Sequence, residues 1–140
     1  MNHFIFMISH MIEEKLKRSI ENEIKLLREL LTNLLMEASS LVSRDRKLWN
    51  GVMQDRYVII EKIKYIRFER GPFEEELLNP SCEISLLTDQ LFALMVKIQE
   101  EKSRNHHLEL QHLVAIPASV VYPRRLGCSS EKKNTLMTLP

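Results

Sequence analysis

A heptad seam limits what this chain can fold into more than any other feature. Ile20, Ile24, Leu27, Leu31, Leu34, Ala38 and Leu41 follow one another in alternating steps of four and three residues. That spacing sets apolar side chains on one face of an α-helix. Leu30, Leu35 and Val42 widen the stripe, which suits a helix packed against two neighbours better than a two-stranded coiled coil. In this reading Glu21, Glu23, Lys25, Arg28, Glu29 and Glu37 take the other faces. Glu21 and Lys25 form an (i, i+4) pair in the favourable order.

The stretch from Asp45 to about Glu69 is helical in character again. Leu48, Val52, Ile59, Ile63 and Ile66 make its apolar face, with Trp49, Met53, Tyr57 and Ile60 at the margins. At Ser43-Arg44-Asp45 two signals compete. The heptad phase runs on from Leu41 to Leu48 to Val52, which favours one continuous helix. The similar lengths of residues 11–43 and 83–115 favour a fold-back, with Ser43 or Asp45 as N-cap. The fold-back is the reading adopted.

Gly71-Pro72 reads as a helix stop, with Phe73 to Leu78 as a short helical turn. A third helix then starts, capped either by Asn79 with Pro80 in the first position or by Ser81 with Glu83 in the first turn. Its seam is Ile84, Leu87, Leu91, Leu94 and Ile98, after which polar residues (Glu101, Asn105, His112) take seam positions with only Leu108 apolar. Pro117 closes the helical region. The expected architecture is all-α: an elongated, antiparallel, coiled-coil-like bundle of about three long helices over residues 1–116. A flexible tail over 117–140 carries two short apolar clusters, Val120-Val121-Tyr122 and Leu136-Met137-Thr138-Leu139.

Composition agrees with this. The chain of 140 residues has only three glycines, whereas sheets and phosphate-cradling loops need more for their tight turns. A net charge of +1 gives no broad basic footprint for nucleic acid. Arg44, Arg46, Lys47 and Arg56 are interrupted by Asp45 and Asp55, so they read as a salt-bridged helix surface. Cys82 and Cys128 lack CxxC spacing and point to a reducing compartment. The apolar run Phe4 to Ile8 has no basic flank and is far short of a membrane span of about 20 residues. Met7 and Met11 are alternative starts. A cytoplasmic protein without membrane insertion is expected.

The residues offer little for catalysis. His106, His107 and His112 are not spaced at (i, i+3) or (i, i+4), and His3 and His10 sit one heptad apart near the terminus, so no metal site is expected. Glu74-Glu75-Glu76 and Glu100-Glu101 read as solvated faces, and no HExxH, P-loop or GxSxG motif occurs. The expectation is a protein that is not an enzyme and carries no cofactor. It would act by binding proteins, with Leu108, Leu110, Leu113, Val120, Val121, Tyr122, Leu136 and Leu139 as partner-binding residues.

One family resembles this pattern. The run from Ile24 through Glu37, followed by Leu41, Asp45, Leu48, Arg56 or Lys62, Ile63 and Arg67, resembles the FlgN family of flagellar export chaperones. Arg104-Asn105 followed by Leu108 and Leu110 resembles the polar end of that family's second leucine helix, and the likeness covers about residues 15–113. It implies a cytosolic chaperone that holds secreted, hook-associated-like proteins of a flagellar or type III secretion system and brings them to the export gate. In that family the substrate is bound by the C-terminal part, here Arg104 through the tail. Pro117 and Pro123 stand where the family would have an amphipathic helix. The competing reading is a structural coiled-coil scaffold, self-associating as a homodimer or built into a larger complex.

Overall fold

The computed structural model describes residues 2–76 and 79–114, which form three α-helices and, among those residues, no strand. Helix α1 spans Asn2–Ser43, α2 Arg46–Glu76 and α3 Cys82–Val114. At about 1.5 Å per residue, α1 is about 63 Å long against about 46 Å for α2 and about 50 Å for α3.

α1 is the middle of the bundle. Both α2 and α3 pack along it, while the backbones of α2 and α3 do not approach one another. The cross-helix pairings give the directions. Glu23 meets Arg67 and Glu37 meets Arg56, so α2 is antiparallel to α1. Lys17 meets Glu83 and Glu37 meets Asn105, so α3 runs parallel to α1. The stripe is explained in its buried part: Leu16, Ile20, Ile24, Leu27, Leu30 and Leu34 of α1 lie between Ile63 of α2 and Ile84, Leu91 and Ile98 of α3. Leu35 and Val42, expected to widen it, are instead exposed, because neither partner helix covers that side.

The fold-back at Ser43–Asp45 is what the chain does. Arg44 adopts φ 57°, the left-handed conformation that ends a helix. Its N–H donates to the Leu41 carbonyl at 3.3 Å and the Asp45 N–H to the Ser40 carbonyl at 3.0 Å. These are the two bonds of a Schellman motif. Asp45 then caps α2, its carboxylate accepting from the Leu48 N–H at 3.0 Å. One residue breaks α1 and the next starts α2, so the heptad phase that survives the junction is turned back on itself. At the other connection Ser81 is the cap, accepting from the Ile84 N–H, with Glu83 in the first turn of α3.

The reading of Gly71-Pro72 as a stop is corrected. α2 continues to Glu76 with Pro72 inside it. Proline removes one backbone donor and crowds the preceding turn, but the helix is held on both sides of it. Arg70 pairs with Glu74 one turn on, Phe73 packs against the core, and the Lys15 ammonium sits 5.1 Å over the Phe73 ring.

Lys15 and Lys17 mark where the flanking helices end beside α1. Ile12 still packs against the core, so it is residues 2 to about 11 of α1 that project beyond it, by roughly 15 Å.

Candidate protein-binding surfaces and the polar ladder behind them

Burial of charge comes first, because it decides what remains outside. Glu23 is 0% exposed and lies between two guanidinium groups: Arg67 donates to Oε2 through Nε at 2.8 Å and Nη2 at 2.7 Å, and Arg70 Nη2 lies 2.5 Å from Oε1. Fourteen residues on, Glu37 is 3% exposed and takes both oxygens to Arg56, with Asn105 of α3 donating to Oε1 at 2.7 Å. Asn105 also donates to the Leu34 carbonyl, and Asn33 bridges by donating to the Val52 carbonyl and accepting from Arg56 Nε. Two polar layers, about 21 Å apart along α1, thus interrupt an otherwise apolar seam.

The placing of Glu23 and Glu37 on outward faces is therefore corrected. Leu16, Glu23, Leu30 and Glu37 recur every seven residues and are all buried. The signal was present: Arg56, Ile63 and Arg70 repeat with the same period on α2, offering opposite charge to those glutamates. A one-heptad slip would set Leu30 against arginines and glutamates against Ile63, leaving buried charges unpaired, so the ladder fixes register. Of the alternatives Arg56 and Lys62, it is Arg56 that meets Glu37, while Lys62 is exposed. Asn105, Asp45 and Arg67 are likewise a core amide, a helix cap and a core ion-pair partner.

With arginines inside, large apolar groups lie outside. On α2, Tyr57, Val58, Tyr65 and Phe68 are exposed, Phe68 by 82%. At about 100° per residue they fall in one arc of about 100°, opposite the buried Val52, Ile63 and Arg70. Beside this arc Leu26 of α1 and Tyr57, Val58, Tyr65 and Ile66 of α2 line a shallow apolar trough of about 500 Å³. A hydrogen bond with Glu69, and then that carboxylate's charge, raise the Tyr65 phenol above its ordinary value. On α3, Phe92 and Val96 are exposed one turn apart, and Val96 opens a second hollow with Gln99, Ser103 and His107. The projecting end of α1 adds Phe4, Ile5, Phe6, Met7, Ile8 and Met11, all exposed.

The expected partner-binding residues fare differently. Leu108 and Leu110 are partly buried on α3. The side chain of Leu113, and Val120, Val121, Tyr122, Leu136 and Leu139 entirely, lie outside the described residues. The outer faces of α2 and of the α1 tip were missed by a reading that looked for partner contacts at the end of the third helix.

Among the described residues no group of three or more His, Cys, Asp or Glu side chains could hold a metal ion, and no helix is long and apolar enough to cross a membrane. Compared with known proteins, the chain matches no family, no curated protein and no solved structure.

Proposed function

We propose that this protein is a cytosolic export chaperone, one that holds helical proteins destined for a flagellar or type III secretion system and presents them to the export gate. The observation that carries the reading is an inverted distribution of side chains. Five charged side chains, Glu23 and Glu37 of α1 and Arg56, Arg67 and Arg70 of α2, are turned into the bundle, while Tyr57, Tyr65, Phe68 and Phe92 stand exposed on its flanks. Exposed apolar stripes on rigid helices are what a helix-in-groove contact uses. The bundle supports a role in protein–protein interaction. The class of client draws on the resemblance carried by Glu37, Asp45, Arg56, Arg67 and Asn105, residues that hold the bundle together and do not themselves reach a client.

The test is capture of the intact chain from its native cytoplasm after chemical cross-linking, with mass spectrometry of partners and cross-linked positions. Secreted helical proteins joined to the outer faces of α2 or α3, or to residues 104–140, are the expected result. Recovery of the chain alone, or of one fixed structural complex, overturns it.

The α1 tip favours a second reading, self-association. Residues 2–12 hold no Asp, Glu, Lys or Arg, and a helix apolar on every side needs company. Sedimentation velocity over a range of concentrations decides it: a tight homodimer abolished by Ile5→Glu and Ile8→Glu places the chain among scaffolds.

A further inference from the structure

The outer face of α2 says something about its partner beyond being apolar. Between Tyr57 and Glu76 the helix carries Lys62, Lys64, Arg67 and Arg70 against Glu61, Glu69, Glu74, Glu75 and Glu76, nearly balanced as sequence. Folding separates the two sets. Arg67 and Arg70 are drawn into the core by Glu23, as Arg56 is by Glu37. What remains in solvent is five exposed carboxylates, of which Glu74 pairs with Arg70 and Glu61 with Lys64, and two lysines, of which Lys62 lines the trough. The acidic excess is therefore carried by Glu69, Glu75 and Glu76. Glu61 lies within the arc of Tyr57, Tyr65 and Phe68; Glu69 and Glu76 border it on one side and Lys64, paired with Glu61, on the other. On α1, Glu29 is exposed one turn beyond Leu26, the residue that α1 contributes to the trough.

We propose that this face docks a basic amphipathic helix of roughly 16–20 residues. Its apolar side would lie on Tyr57, Val58, Tyr65 and Phe68, and its flanking Lys or Arg residues would reach Glu61, Glu69 and Glu76. The aromatic rings add a second attraction for those cations. The inference deepens the chaperone reading by giving the chemistry of the client segment.

The experiment uses the intact chain and two fluorescent model peptides. Both have leucines at i, i+3, i+4 and i+7; one has lysine flanks and the other glutamate flanks. The lysine peptide is expected to bind at least roughly tenfold more tightly. Its affinity should fall as salt is raised from about 50 to about 300 mM, because these exposed charges are screened. Tyr57→Ala with Phe68→Ala should weaken it at least tenfold, whereas Phe92→Ala with Val96→Ala should leave it unchanged. All four positions are exposed, and alanine favours helix, so the variants keep the fold, which far-ultraviolet circular dichroism checks. Glu61→Lys with Glu69→Lys should invert the peptide preference. Equal binding of the two peptides, no binding of either, or full binding by the Tyr57→Ala/Phe68→Ala chain overturns the proposal. The two readings fail separately. If that variant still captures secreted proteins, this face is not the dock but the chaperone reading stands. If the lysine peptide binds as expected and no secreted protein is ever captured, the dock stands without the chaperone.

Discussion

Arg56 of α2 grips both carboxylate oxygens of Glu37 on α1, with Nη2 3.0 Å from Oε1 and Nη1 3.2 Å from Oε2. The pair closes the hairpin formed at Arg44-Asp45, and Asn105 ties α3 to the same carboxylate. One glutamate therefore joins all three helices.

Removing Arg56 leaves that carboxylate buried with a single neutral donor. Arg56→Met is expected to cost about 3 kcal/mol, and Glu37→Met a similar amount, because an unpaired buried charge is costlier than none. The double variant should lose clearly less than the sum. Urea unfolding followed by the fluorescence of Trp49, the only tryptophan, measures all three. Strictly additive losses would show that the pair is not coupled.

Glu23 gives a less intuitive expectation. Glu23→Leu completes the apolar heptad of Leu16 and Leu30, and by sequence pattern alone it should stabilise the bundle. In the structure it strips Arg67 and Arg70 of their shared counter-charge inside the core. A loss of about 3–5 kcal/mol is expected, and adding Arg67→Met and Arg70→Met to it should recover most of that loss. Gain of stability on Glu23→Leu alone would overturn this account of the ladder.

These two layers also show what was legible in the chain and what was not. Three long helices and their order could be read, because the apolar steps from Ile20 to Leu41 and from Ile84 to Ile98 are local and periodic. Asn105 could be placed in the seam for the same reason. Glu23 and Glu37 could not, because a glutamate at a seam position is identical in local pattern to one on a flank. Only its cross-helix partner, 44 or 19 residues away, tells them apart. The outer stripe of α2 was hidden for the complementary reason: Tyr57 looks like a margin of a core until Arg56, Ile63 and Arg70 are known to face inward.

Tyr65 supplies a spectroscopic check on that outer face. Its phenol is raised above the ordinary 10.0, chiefly by the hydrogen bond with Glu69 and next by that residue's charge. A raised folded value means that the interaction contributes fully below the ordinary phenol value and is lost as pH climbs through Tyr65's own, so its effect is confined to alkaline solution. In a tyrosinate absorbance titration Tyr65 should ionise late, and Glu69→Gln should bring it back. Docking of a lysine-flanked helix over Glu69 should alter the same titration.

The turn at Arg44 and the helix that follows it predict substitutions of opposite kind. Arg44 stands at φ 57°, where a side chain is strained and glycine is not. Arg44→Gly is therefore expected to stabilise the chain, by about 0.5–1 kcal/mol. Gly51 lies inside α2, has no positive φ, and has open space where a Cβ would sit. Gly51→Ala should also stabilise, by about 0.5–1 kcal/mol. Were Gly51 a left-handed turn residue instead, the same change would destabilise, since alanine resists that conformation. Urea midpoints of the two variants therefore test where the chain turns: gains at both positions fit a turn at Arg44 and a helix already formed at Gly51, whereas a loss at Gly51 would place the turn there.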